Sequence, residues 1–110
     1  MRGIRAKFIS AYIEVVHAST MLSESMDVGR VNDAIQLLEK SLAVFAPQNG
    51  FQHQAYAMRA RNELALAHLR LATLALPDEE DRRKRHLHKA EVYLDSIKGV
   101  ARPDALPCPK

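Results

Sequence analysis

The chain has 110 residues, 47% hydrophobic and 26% charged, which excludes a disordered polymer and suits one domain with one core. Its net charge of +3 is too small to imply nucleic acid by itself. A single cysteine, Cys108, has no internal disulfide partner, so a reducing, cytoplasmic setting is expected.

The first predicted helix covers residues 4–25. Ile4, Phe8, Ala11, Val15 and Leu22 form one helical stripe, and Ile9, Ile13, Val16 and Thr20 form a second beside it. So wide an apolar face is expected of a helix packed on more than one side. The basic-then-apolar start is broken by Glu14 and lacks a small-residue cleavage site, so it does not read as a leader. Gly29 in "MDVGR" is the expected stop, because glycine adopts the left-handed backbone that ends helices.

The second helix is predicted over 30–46, with Val31, Ala34, Ile35, Leu38, Leu42 and Phe45 as its stripe, and "PQNG" breaks it. The third, over 51–76, puts Ala57, Ala60, Leu64, Ala67, Leu71 and Leu74 on one face. Small and large residues alternate there, which lets another helix come close. Pro77 ends it. The fourth, over 78–98, carries Leu87, Ala90, Leu94 and Ile97, with Gly99 as its stop. The expected division is one helical domain over 1–99 and a loose Pro-containing tail over 100–110. No stretch alternates with the period of a strand, and none approaches the ~20 apolar residues of a membrane helix. The fold class is therefore all-α.

The start of the fourth helix, "LPDEEDRRKRHLHK", contains a basic cluster that resembles a phosphate-binding patch. Asp78 is placed to cap the helix, and Glu79, Glu80 and Asp81 fill its positive end. Each of these three also stands four residues before a base: Arg83, Lys84 and Arg85. Phosphate binding needs cations without such partners, so a self-paired, solvated helix start is expected instead.

The stretch "GRVNDAIQLLEKSLAVFAP" resembles the second helix of a tetratricopeptide repeat. Ala34, Leu38 and Pro47 stand at its A-x3-F…P positions, with Leu in place of the aromatic. The preceding half-motif falls on Ala18, Met21, Leu22 and Ser25. A second pair of helices places Arg61, Leu64, Ala65 and His68, then Ala90 and Leu94, at corresponding positions. Ala34 and Ala90 lie further apart than one repeat of about 34 residues. The resemblance implies two stacked antiparallel helical hairpins, with an antiparallel four-helix bundle as the alternative. It also implies a scaffold that holds a peptide or a partner's helix, with Arg59, Asn62, Leu66 and Arg70 facing outward to do so. Glu63 stands where a cation would help, so a C-terminal carboxylate is not the implied ligand.

No reaction is named by the remaining residues. The five histidines, His17, His53, His68, His86 and His88, include no i, i+4 pair and no H-E-x-x-H motif. His86 and His88 diverge around a helix. They are read as structural or surface residues, and neither a metal nor another cofactor is expected. His17 begins no phosphotransfer motif, since "ASTMLSES" follows it without the needed Lys and Gly. Phosphate loops, nucleophile elbows and paired carboxylates are not seen, so a catalytic role is not expected.

The expected function is a non-catalytic protein–protein interaction module. Two hairpins leave an apolar end face, so a homodimer or larger assembly is expected through Phe8, Tyr12 and Phe51. Two alternatives stand beside this. One is a helical regulator that contacts nucleic acid through Arg59, Arg61, Arg70 and Arg82–Arg85; the other is a small secretion or assembly chaperone.

Overall fold

The computed structural model describes residues 2–24 and 27–101 and contains four helices: α1 (Arg2–Glu24), α2 (Val28–Phe45), α3 (Phe51–Leu74) and α4 (Glu80–Ala101). Among the described residues there is no strand. The tail from 102 onward, with Cys108, lies outside the described residues, as does Ser25.

The local signals explain most boundaries, and the structure corrects three. Gly29 is not a stop. It sits in the first turn of α2, and no glycine among the described residues has a positive φ. The cap is Asp27, whose carboxylate accepts from the Arg30 N–H at 3.1 Å. A Cβ at Gly29 would come within 3.0 Å of Asp27 Oδ2, so the glycine leaves room for the capping carboxylate. Gly99 does not stop α4 either, for the helix runs on to Ala101. Asp78 lies in the turn before α4 and not at its cap. Glu79 takes that place: its side chain accepts from the Leu76 N–H at 2.9 Å, and its carbonyl accepts from the Arg83 N–H at 3.0 Å.

Each helix packs on the next: α1 on α2, α2 on α3, α3 on α4. The connections are short, so consecutive helices run antiparallel. Side-chain contacts show what lies two elements apart. Phe8 stacks on His53, Tyr12 on Tyr56, and Ser19 Oγ donates to Glu63 Oε2 at 3.0 Å. Residue numbers rise together along this seam, so α1 and α3 lie parallel. Val28 and Asn32 of α2 likewise share a cleft with Arg82 and His86 of α4. The four helices are two hairpins, α1–α2 and α3–α4, stacked in the same orientation. No packed pair joins α1 to α4, so the array is an open slab, 47 × 43 × 21 Å, and not a closed ring of four.

The core lies where the hairpins meet. Val15, Val31, Leu38, Phe45 and Leu64 are fully enclosed there, with Ala18, Ala34, Ala57 and Ala60 at the close helix crossings. Among the described residues Ser41 is the one buried hydroxyl. Its Oγ stands 3.0 Å from the Ala11 carbonyl and 2.9 Å from that of Leu37, so the polar group is satisfied where α2 touches the α1 backbone. Lys40 pairs with Glu14 at 3.0 Å over the same crossing.

The open array has consequences at both ends. The second stripe of α1 is left exposed, with Ile9 at 53%. Leu94, expected on the buried stripe of α4, is also exposed, while Ala90 alone on that stripe is fully buried. Both departures have one cause: no helix returns to cover the outer sides.

Candidate functional surface

The α1–α3 seam organises the accessible surface. On its inner side lies α2. On its outer side α3 presents Arg59, Asn62 and Leu66, all exposed, with Leu66 at 50%. Spacings of three and four residues put them on one strip. Arg70 continues the strip but is half-buried, and its guanidinium donates to the Leu22 carbonyl near the end of α1. It therefore ties α3 to α1 as well as bordering the surface. From α1, Ile9, Tyr12 and Val16 border the same seam and are exposed. The four α3 residues expected to meet a partner thus share one strip, flanked by an apolar α1 edge that the repeat resemblance does not name.

At one end of the seam the aromatic residues converge. Phe8 stacks at 4.3 Å between centroids on His53, Phe45 lies beneath both, and Tyr12 tilts against Tyr56 at 5.0 Å. Phe8 is half-buried and belongs to the core edge. Phe51 stands out from the surface at 88% exposure. Phe8, Tyr12 and Phe51 are therefore brought to the same end, in three different settings. His17 and His53 do not meet: His53 is stacked in this cluster and His17 is exposed on α1.

Arg82 and Arg83 of the basic run are paired, at a different spacing from that expected, while the expected pairs of Lys84 and Arg85 do not form among the described residues. Arg82 meets Glu79 at 3.0 Å and Arg83 meets Glu80 at 2.5 Å, both three residues apart and not four. The helix begins two residues later than Asp78, which puts Glu79 at its cap and Glu80 in its first turn, where the shorter spacing is reached. The Arg83 hydrogen bond holds the Glu80 carboxyl below its ordinary range. Arg61 is turned inward, with Nη1 buried, so neither it nor Arg70 extends the Arg82 cluster.

A feature the sequence concealed lies between α3 and α4. His68 and His86 face each other with Nδ1 atoms 3.0 Å apart, their rings stacked, and Tyr93 stacks on His68. His68 is buried at 2% exposure, and its Nε2 has no protein partner. One ring must donate and the other accept, so the pair holds together only while at least one imidazole is neutral. Burial, then the charge of His86 and Lys89, pushes His68 down to about 4. Burial, then Lys89, Arg82 and Arg85, lowers His86 too. Burial, then Glu39, raises the Tyr93 hydroxyl. Two imidazoles are too few to hold a zinc ion by themselves, and no group of three or more His, Cys, Asp or Glu gathers among the described residues. No described helix is long and apolar enough to cross a membrane.

No family model, curated protein or solved structure matches this chain. The repeat resemblance rests on the residues quoted above alone.

Proposed function

We propose that the chain is a protein-interaction module that holds a helix or extended peptide of another protein along the outer side of the α1–α3 seam, in the cytoplasm and without catalysis of its own. The observation that carries this reading is the strip itself. Two parallel helices present Leu66 and the α1 edge of Ile9, Tyr12 and Val16 as an apolar line, with Arg59 and Asn62 beside it. An apolar line with a few polar donors on rigid helices suits a partner helix that anchors through every third or fourth residue. The arginine favours partners with an acidic side chain next to their apolar anchors. The pairing of Arg82 and Arg83 with Glu79 and Glu80 favours this over the nucleic-acid reading.

The test is selection of helical peptides from a displayed library on the purified chain, followed by binding to variants. Leu66→Asp should abolish binding of the selected peptides, and Arg59→Glu should weaken acidic ones about tenfold, the loss of one good charged contact. Lys84→Glu, on the distant exposed side of α4, should change nothing. Peptides that bind Leu66→Asp as well as the parent chain would overturn the assignment.

A further inference from the structure

Phe51 is the most exposed of the large apolar side chains among the described residues. It is not on a loose loop. It opens α3, and Gln54 staples the preceding turn: its Nε2 donates to the Ala46 carbonyl at 3.2 Å and also to that of Gln48. The Gln54 backbone N–H bonds the Gly50 carbonyl at 2.9 Å. A Cβ at Gly50 would stand 3.2 Å from His53 Nδ1, so the glycine lets the turn settle on the imidazole that stacks against Phe8. Ordered backbone therefore holds an aromatic ring out in water.

Next to it is a hollow of about 240 Å³, bordered by Phe8, Ile9, Tyr12, Gln52, His53 and Tyr56, with Phe45 at its floor. No carboxylate, ammonium or guanidinium lines it, so it favours an apolar occupant over a charged one. Its size falls below the roughly 300 Å³ at which small-molecule sites begin, and suits one inserted side chain. One end of the molecule thus carries an exposed apolar ring and, from its chain neighbour Gln52 onward, an apolar hollow.

We propose that this end of the molecule is a two-fold homodimer contact, in which Phe51 of each chain enters the aromatic hollow of the other. A two-fold axis brings one patch onto its own copy, so a protrusion beside a hollow is answered by the same pair reversed. The exposed apolar surface supports the same occupant. Phe51 with Ile9, Tyr12, Ile13 and Val16 offers on the order of 500 Å² per copy, taking ~150–200 Å² for each fully exposed side chain. Two copies give about 1,000 Å², the area at which specific interfaces begin. The backbone that carries Phe51 is already ordered, so insertion has only the two exposed side chains left to order.

This inference deepens the interaction-module reading by naming a second copy as an occupant of the seam's end, and its test uses the purified chain alone. Sedimentation over low to high micromolar concentration should show a reversible dimer. Phe51→Ala should raise its dissociation constant about a hundredfold, roughly tenfold for each of two anchors. Helicity should not change, because the ring is exposed in the single chain. Ile9→Glu, which places a charge at the hollow, should also give a monomer. A mixture of the two variants should form heterodimers of intermediate affinity, since one intact ring still meets one intact hollow. A parent chain that stays monomeric, a Phe51→Ala chain that dimerises like the parent, or a mixture without heterodimers would each overturn the proposal. Ile9 and Tyr12 border both surfaces, so the two readings are separated by Phe51, which is not on the strip: Phe51→Ala should lose the dimer and still bind the selected peptides, whose strip is assayed on Leu66 and Arg59.

Discussion

Lowering the pH from 7 to 5 should loosen the α3–α4 hairpin through His68. In the unfolded chain an imidazole titrates near 6.5. In the fold His68 is held at about 4, first by burial and then by the charges of His86 and Lys89. A base whose folded pKa is depressed resists the proton that the unfolded chain accepts. Its contribution is thus fully present above 6.5, falls as the pH drops toward 4, and levels off below that. The full difference corresponds to about 3 kcal/mol, of which about 2 kcal/mol has gone by pH 5. His86 is lowered as well, and the two rings titrate as a pair, so the loss belongs to the cluster. The neighbouring charges are Arg82, Arg85 and Lys89, all of the sign that opposes a second proton. Urea unfolding followed by circular dichroism at pH 7, 6 and 5 measures the slope. His68→Leu removes the titrating group and should flatten it, whatever the variant does to stability at pH 7. A parent chain equally stable at pH 7 and 5, or a His68→Leu chain with the parent's slope, would refute the reasoning.

Three other outcomes follow from packing and pairing. Phe45→Ala should cost about 3–5 kcal/mol in denaturant unfolding, because Phe45 is fully enclosed under Phe8, His53 and Tyr56. Asp27→Ala should cost about 1 kcal/mol through the lost cap on α2, and Asp27→Asn should recover most of it. Duplex DNA titrated with the chain at low and moderate salt should show weak binding with a shallow salt dependence, because Arg82 and Arg83 already have carboxylate partners.

The helices were legible because their signal is periodic and local. Of the stripe read on α2, Val31, Ala34, Ile35, Leu38 and Phe45 are buried and Leu42 is half-buried, and "PQNG" separates α2 from α3 as expected. The glycines misled for a physical reason. Gly29 and Gly99 can stop a helix, but glycine also sits inside one when a close neighbour needs the space, and the Asp27 carboxylate does so at Gly29. The acidic and basic residues of α4 were read in the right order and the wrong register, since a two-residue change in the helix start decides which pairs meet. The His68–His86 contact was not legible. Eighteen positions separate the rings, and only the α3–α4 packing brings them together. Its one trace was His68 on the small-residue face of the third helix, a polar group where Leu64, Ala65 and Ala72 are buried.

The width of the α1 stripe is the clue that joins fold to function. Ile9, Ile13, Val16 and Thr20 read as a second packed face, and the structure leaves them in water. The apolar count of α1 was correct for a helix with two neighbours, but within one chain only one side is fully covered, by α2. A closed four-helix bundle would have brought α4 against that stripe. Here α4 continues the stack instead, parallel to α2 and beyond α3. The hydrophobic drive that folds the hairpins is therefore left incomplete along one edge, on rigid helices, beside an aromatic hollow and a protruding Phe51. Burial of such an edge is favourable at about 25 cal/mol per Å² before the costs of association are counted. On the function proposed above, that drive would hold another polypeptide at the seam, and the fixed spacing of Tyr12, Val16, Arg59 and Leu66 is what would select which one.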